Sequence, residues 1–182
     1  SVFQSNSKKF SQTKGFRGGL GLSEITGSFR FSLGWSGVDA NYYQNDLGFY
    51  NLRNDQRLFS SIEFLTFEPT KFYEKIEAYL WMSERSRFYP KILKSQGGRI
   101  GFTLISKKLE EIKGSFDYTS KYKDFEETRK ENVFIYQPAV FEIEFNYRSD
   151  TRKKLVYGAG FEHSYGTNEE FEENYNETEI EF

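Results

Sequence analysis

Few residues in this chain have the type and spacing to do chemistry. There is one histidine, His163, and no cysteine. Thiolate nucleophiles, thiolate zinc sites, disulfide frameworks and any centre built on two imidazoles are thereby excluded. Histidine-assisted hydrolysis would rest on His163 alone. It shares strand parity with Phe161 and Tyr165, so it belongs to an apolar, aromatic row rather than to a proton relay. Glu142 and Glu144 are two positions apart. On a strand that sets them about 7 Å apart on one face, a spacing a glycosidase can use. Lys and Arg are plentiful on the same faces, which favours an ion network. Gly18-Gly19-Leu20-Gly21 and Gly97-Gly98 lack the strand–loop–helix context of a phosphate cradle and read as kinks in strands. Lys107-Lys108 and Arg152-Lys153-Lys154 sit at turns and read as interfacial anchors rather than a nucleic-acid patch. No catalytic residue, metal ligand or cofactor is assigned.

The most distinctive stretch runs from Asn45 to Asp55, Asn-Asp-Leu-Gly-Phe-Tyr-Asn-Leu-Arg-Asn-Asp. Gly48 can take a positive φ and break the strand rhythm. Asp46, Asn51, Asn54 and Asp55 can bond their own backbone and hold a compact loop, with Arg53 pairing to Asp46 or Asp55. The alternative is a ligand site, with these oxygens binding Ca²⁺ or sugar hydroxyls and Tyr42, Tyr43, Phe49 and Tyr50 offering stacking surfaces. Calcium loops need tighter ligand spacing, so the loop-locking reading is preferred.

The elements that must position these residues follow from composition and alternation. The 182 residues suit one domain, and 25 Lys+Arg against 27 Asp+Glu give a net charge of -2, with no global case for nucleic acid. Aromatic residues reach 19% while all apolar residues reach only 37%, which excludes disorder and differs from an ordinary Val/Leu/Ile/Ala core. No run approaches the ~20 apolar residues of a membrane helix. Instead the chain alternates. Phe141, Ile143, Phe145 and Tyr147 interleave with Glu142, Glu144, Asn146 and Arg148, and Phe29, Phe31, Leu33 and Trp35 with Arg30, Ser32, Gly34 and Ser36. A transmembrane β-barrel hides its apolar surface in this way.

The alternation predicts nine strands, near 14–24, 28–38, 56–67, 72–84, 96–107, 112–122, 137–148, 153–165 and 174–182. Short turns at 25–27, 68–71, 108–111 and 149–152 then alternate with long loops at 39–55, 85–95, 123–136 and 166–173. The expected fold is all-β: an antiparallel transmembrane up-and-down β-barrel, or the C-terminal portion of one, with about nine to ten strands. An odd strand count, and the absence of an export signal at Ser1, favour part of a larger barrel; residues 1–12 are the candidate for a tenth strand. Trp35, Trp81, Tyr147, Tyr157 and Tyr165 are assigned to an interfacial aromatic girdle. The last strand ends Thr178, Glu179, Ile180, Glu181, Phe182. Thr178, Ile180 and Phe182 resemble the C-terminal strand by which outer-membrane assembly machinery recognises its clients. Glu177, Glu179 and Glu181 share the other parity, toward a wet interior.

The 45–55 stretch resembles the N-D-L-G-[FY]-x-x-R-N-[DN] motif of a Bacteroidetes family of uncharacterised outer-membrane proteins, with Leu52 as one extra residue before Arg53-Asn54-Asp55. Proteins of that family look like an N-terminal carbohydrate-binding-family-9-like domain followed by a long β-barrel. The resemblance implies that this chain is the C-terminal part of the barrel, in the bacterial outer membrane, and it carries over no activity. The expected role is non-catalytic: a pore, a surface scaffold or a subunit of an envelope complex, linked to glycan handling. The expected partners are the lipid bilayer, the outer-membrane assembly machinery, and other envelope proteins or glycans, with no nucleic acid. The alternatives are a soluble all-β glycan- or protein-binding module, and an outer-membrane hydrolase with a carboxylate site at Glu142 and Glu144.

Overall fold

A computed structural model describes residues 14–42, 54–125, 133–168 and 173–182. The described residues form strands β1 (Arg17–Glu24), β2 (Phe29–Val38), β3 (Asp55–Leu65), β4 (Tyr73–Ser86), β5 (Leu93–Ser106), β6 (Glu111–Thr119), β7 (Tyr122–Asp124), β8 (Ile135–Gln137), β9 (Ala139–Arg148), β10 (Gly158–Asn168) and β11 (Glu173–Glu181). They form no helix. One nine-stranded antiparallel sheet has the order β1-β2-β3-β4-β5-β6-β9-β10-β11, and β7 pairs with β8 in a separate two-stranded sheet. The all-β antiparallel expectation is met. Over the described residues the sheet is open, because no ladder joins β1 to β11.

All nine predicted strands are present, but their limits differ. β4 and β5 are 14 residues each and take up most of the predicted loop at 85–95, leaving six connecting residues, 87–92. The alternation of side chains simply continues through Glu84, Arg85 and Ser86, and charge there did not end the strand. β10 begins at Gly158, five residues after its predicted start at 153, so the turn at 149–157 is longer than the loop at 87–92. Strict short–long alternation of connections therefore does not hold. The predicted loop at 123–136 overlaps the β7–β8 hairpin, whose strands of three residues are too short to show a period.

Register assigns every side chain to a face, because directly opposed residues of an antiparallel pair share one. Across β2, β3, β4 and β5 the row Phe31, Ile62, Leu80, Ile100 is opposed pair by pair. It continues through Phe116, Ile143, His163 and Thr178 on β6, β9, β10 and β11. The other face carries Ser32, Ser61, Trp81, Arg99, Asp117, Glu142 and Ser164 at the same height.

Burial inverts the usual order. Among the described residues no hydrophobic side chain is buried, whereas Asn54, Asp55, Ser86, Lys94, Ser149 and Asp150 are. The apolar row stands open: Leu33 is 51% exposed, Ile100 55% and Phe145 46%. A sheet in water with one apolar face places a second layer over it; the described residues supply none.

Aromatic rings lie over strand glycines on the polar face. A Cβ added at Gly34 would run into the Phe59 ring, and one at Gly101 would meet the Tyr79 hydroxyl at 2.6 Å. Each ring fills the space that its glycine leaves, and Phe102 does the same over Gly114 on the apolar face. Gly34→Ala should therefore destabilise the sheet by about 1–3 kcal/mol through overpacking. Phe59→Ala in the same chain should recover part of the loss, read as the denaturant midpoint of the single and double variants.

Candidate functional site

The Asn54-Asp55 pair of the distinctive motif enters β3 and is buried, at 7% and 4% exposure. Asn54 has a φ of 53°, a left-handed conformation that asparagine tolerates better than most residues. Its side-chain amide reaches the β4–β5 connection. Nδ2 donates to the Tyr89 carbonyl at 2.6 Å, and the Tyr89 N–H donates to Oδ1 at 3.0 Å. The side chain thus pairs with a backbone residue as another strand would. Next to it, Asp55 Oδ1 accepts from Lys94 Nζ at 2.8 Å and from Arg85 at 3.2 Å. Trp35 Nε1 donates to Gln56 Oε1, and Gln56 Nε2 to Ser86 Oγ. These bonds tie β2, β3, β4 and β5 together at one end of the sheet. Of the remaining motif residues, Asn45, Asp46, Gly48, Phe49 and Arg53 lie outside the described residues. The carboxylate of Asp55 is held by Arg85 and Lys94, two partners from β4 and β5 that sequence spacing alone does not bring near it.

The girdle residues divide. Trp35 lies on the apolar face between Phe16 and Phe88, with ring centroids at 6.5 and 6.0 Å. Tyr165 opposes Phe141 on the same face near the same end. Tyr147 and Tyr157 meet at 6.1 Å at the opposite end. Trp81 departs from the girdle: it opposes Ser61 and Arg99 on the polar face, and the Arg57 guanidinium carbon lies 5.1 Å from its ring centroid. Its parity with Lys75, Glu77 and Tyr79 decides this, whatever its distance from the strand end.

His163 is on the apolar face, stacked on Phe161 and bonded through Nδ1 to Thr178 Oγ1 at 2.9 Å. Ile180 opposes Phe161 and is 60% exposed, and Phe182 is fully exposed. Thr178 and Ile180 thus extend the apolar face onto the edge strand. On the polar face, Glu162 is directly opposite both Glu144 and Glu179. Glu144 accepts from Asn146 and Ser115. The basic side chains of this face lie mostly on β2 to β5, where Arg99 pairs with Asp117 on neighbouring β6 and Lys75 with Glu77.

The β9–β10 turn is locked from within. The Ser149 N–H donates to the Tyr157 carbonyl and the Tyr157 N–H to Ser149 Oγ. Asp150 accepts from Arg152 Nε and from the other side of the fork, both at 3.0 Å, and from the Arg152 N–H. The Arg152 guanidinium, then its backbone N–H, hold the Asp150 carboxyl down at about 2. The same pairing raises Arg152.

This arrangement defines an all-β sheet protein whose buried polar groups lock connections and whose apolar groups face outward. Residues 1–182 match the family described as Domain of unknown function (DUF5916). The chain belongs to that uncharacterised family. Comparison with curated proteins and with solved structures gives no match.

Two expected outcomes follow from these locks. Asp55→Ala removes the carboxylate that binds both Lys94 and Arg85 and should cost about 3–5 kcal/mol, against about 1–3 kcal/mol for Asn54→Ala, both read by denaturant unfolding. The folded pKa of Asp150 is depressed, so its stabilisation of the turn is complete above about pH 4 and is lost as pH falls toward 2. Hydrogen exchange of the Arg152 amide, corrected for intrinsic rate, should accelerate through that window, and Asp150→Asn should remove the pH dependence.

Proposed function

We propose that this chain is part of the wall of a transmembrane β-barrel of the bacterial outer membrane, with a non-catalytic role as pore wall, surface scaffold or subunit of an envelope complex. The carrying observation is the apolar face that runs across all nine strands of the large sheet with no layer over it among the described residues. Hydrocarbon is the cover that such a face fits, since lipid-facing and interior-facing side chains alternate along barrel strands. Strands of 8 to 14 residues bracket the ~9–11 residues of a tilted crossing. Trp35 at one end and Tyr147 with Tyr157 at the other suit the two interfaces.

The edges support membership in a larger wall. Each strand of the sheet is antiparallel to its neighbour, so β1 and β11 run in the same direction. An antiparallel closure needs an odd number of further strands between them, in line with the even totals of bacterial barrels. The Bacteroidetes setting and the link to glycans rest on the resemblance of the 45–55 motif. The assembly machinery is a proposed partner through Thr178, Ile180 and Phe182 on edge strand β11.

The two tryptophans test the reading because they sit on opposite faces. With the chain reconstituted in vesicles of acyl-chain-brominated phosphatidylcholine, Trp35 in a Trp81→Phe chain should be strongly quenched. Trp81 in a Trp35→Phe chain should be quenched weakly. Equal quenching, or failure to enter vesicles, would refute the barrel wall and favour a soluble sheet that binds protein or glycan through its aromatic face.

A further inference from the structure

Two turns are neighbours at the end of the sheet opposite the Asn54–Asp55 clamp. The β5–β6 turn carries Lys107 and Lys108, and the β9–β10 turn carries Arg152, Lys153 and Lys154. Only β6 and β9 stand between β5 and β10 in the sheet order. A cleft of about 350 Å³ joins the turns, lined by Leu109 from one and by Asp150 and Arg152 from the other.

The carboxylates at this corner are occupied. Glu74 is paired with Lys107 at 3.0 Å, Glu111 with Lys113 at 2.9 Å, and Asp150 with Arg152. Glu110 accepts from Ser106 Oγ and from the Tyr147 hydroxyl. Glu110 keeps its negative charge, and three cations outnumber it: Lys108, Lys153 and Lys154, exposed and without an ion pair among the described residues. Directly after them come Leu155, Val156 and Tyr157, 74%, 46% and 58% exposed. Tyr147, against which Tyr157 packs, belongs to the apolar face, so the greasy tip of the turn is continuous with that face. The double hydrogen bond between Ser149 and Tyr157 and the Asp150–Arg152 fork hold the turn in this shape, so little order remains to be imposed on binding.

We propose that these two turns form a docking site for the headgroups of anionic phospholipid, with Lys108, Lys153 and Lys154 taking the phosphates and Leu155 and Val156 seated at the acyl boundary. Basic side chains beside exposed aliphatic and tyrosine side chains match the two layers of a bilayer interface, charged outside and apolar within. The assignment rests on the membrane reading above and adds to it a lipid class and a place. It makes the short-turn end selective among lipids, where an apolar band alone is indifferent to headgroup charge.

The test places a probe at the turn. Leu155→Trp, in a full chain also carrying Trp35→Phe and Trp81→Phe, is reconstituted in phosphatidylcholine vesicles holding a trace of dansyl-phosphatidylglycerol or of dansyl-phosphatidylcholine. Energy transfer to the anionic probe should exceed that to the zwitterionic one, with a relative affinity of about fivefold or more, the scale of one lysine–headgroup contact. Lys108→Gln, Lys153→Gln and Lys154→Gln together should bring the ratio to unity, and so should raising the salt to roughly 0.5 M, where screening is short-ranged. Equal transfer to both probes in a reconstituted chain overturns the docking site and leaves the membrane reading standing. A chain that does not float with vesicles at all overturns both. Should the triple variant not reconstitute, the salt titration of the parent chain decides.

Discussion

One constraint governs this molecule: an apolar face that none of its described residues buries. A sheet gains little from its own hydrogen bonds, since water would make them too. Its stability comes from removing side chains from water. Here most of the removable side chains point to one side, with Phe59, Tyr79 and Trp81 on the other, and no hydrophobic side chain among the described residues is buried. Whatever covers that face supplies most of the driving force, so the sheet is legible only together with its surroundings. On the proposed barrel reading, hydrocarbon there would make the 46% exposure at Phe145 and the 73% at Leu20 the ordinary state of a lipid-facing wall.

The same constraint explains where polar groups are buried. In an ordinary domain the interior is apolar and polar burial is costly unless paired. This chain has no such interior among its described residues, and buried positions gather where connections fold back on the sheet. Asn54 and Asp55 lock one end, Ser149 and Asp150 the other. Each is satisfied by specific partners, so each fixes a loop rather than weakening a core. The distinctive part of the sequence thus serves strand register and loop shape where its residues are described, and the reactive-looking groups at Glu142, Glu144 and His163 belong to rows of the sheet.

Charge on the polar face is unevenly spread. Arginine and lysine side chains on β2 to β5 find neighbouring carboxylates or aromatic rings. Glu162 on β10 instead faces Glu144 and Glu179 across both ladders. Like charges directly opposite are unfavourable in a sheet, and a hydrated, enclosed space lined on its far side by the basic strands would ease that repulsion. A flat open sheet would not.

The period of two in the sequence already determined the strand class, all nine strands of the large sheet and the face of nearly every side chain, because a strand has only two faces and parity chooses between them. It even held the information that Trp81 opposes the apolar row, which proximity to a strand end obscured. Strand limits were less legible: β4 and β5 extend through charged residues because main-chain pairing continues there, with Glu84 carried on the apolar side opposite Leu58. Three-residue β7 and β8 were invisible, being shorter than any period they could display. The tertiary structure alone decided the partners of Asp55. Lys94 and Arg85 reach it from strands 39 and 30 residues away along the chain, and only the register of three adjacent strands brings their charges to one carboxylate. Pairing across a sheet is set by how whole strands slide against each other, a property that no local spacing encodes.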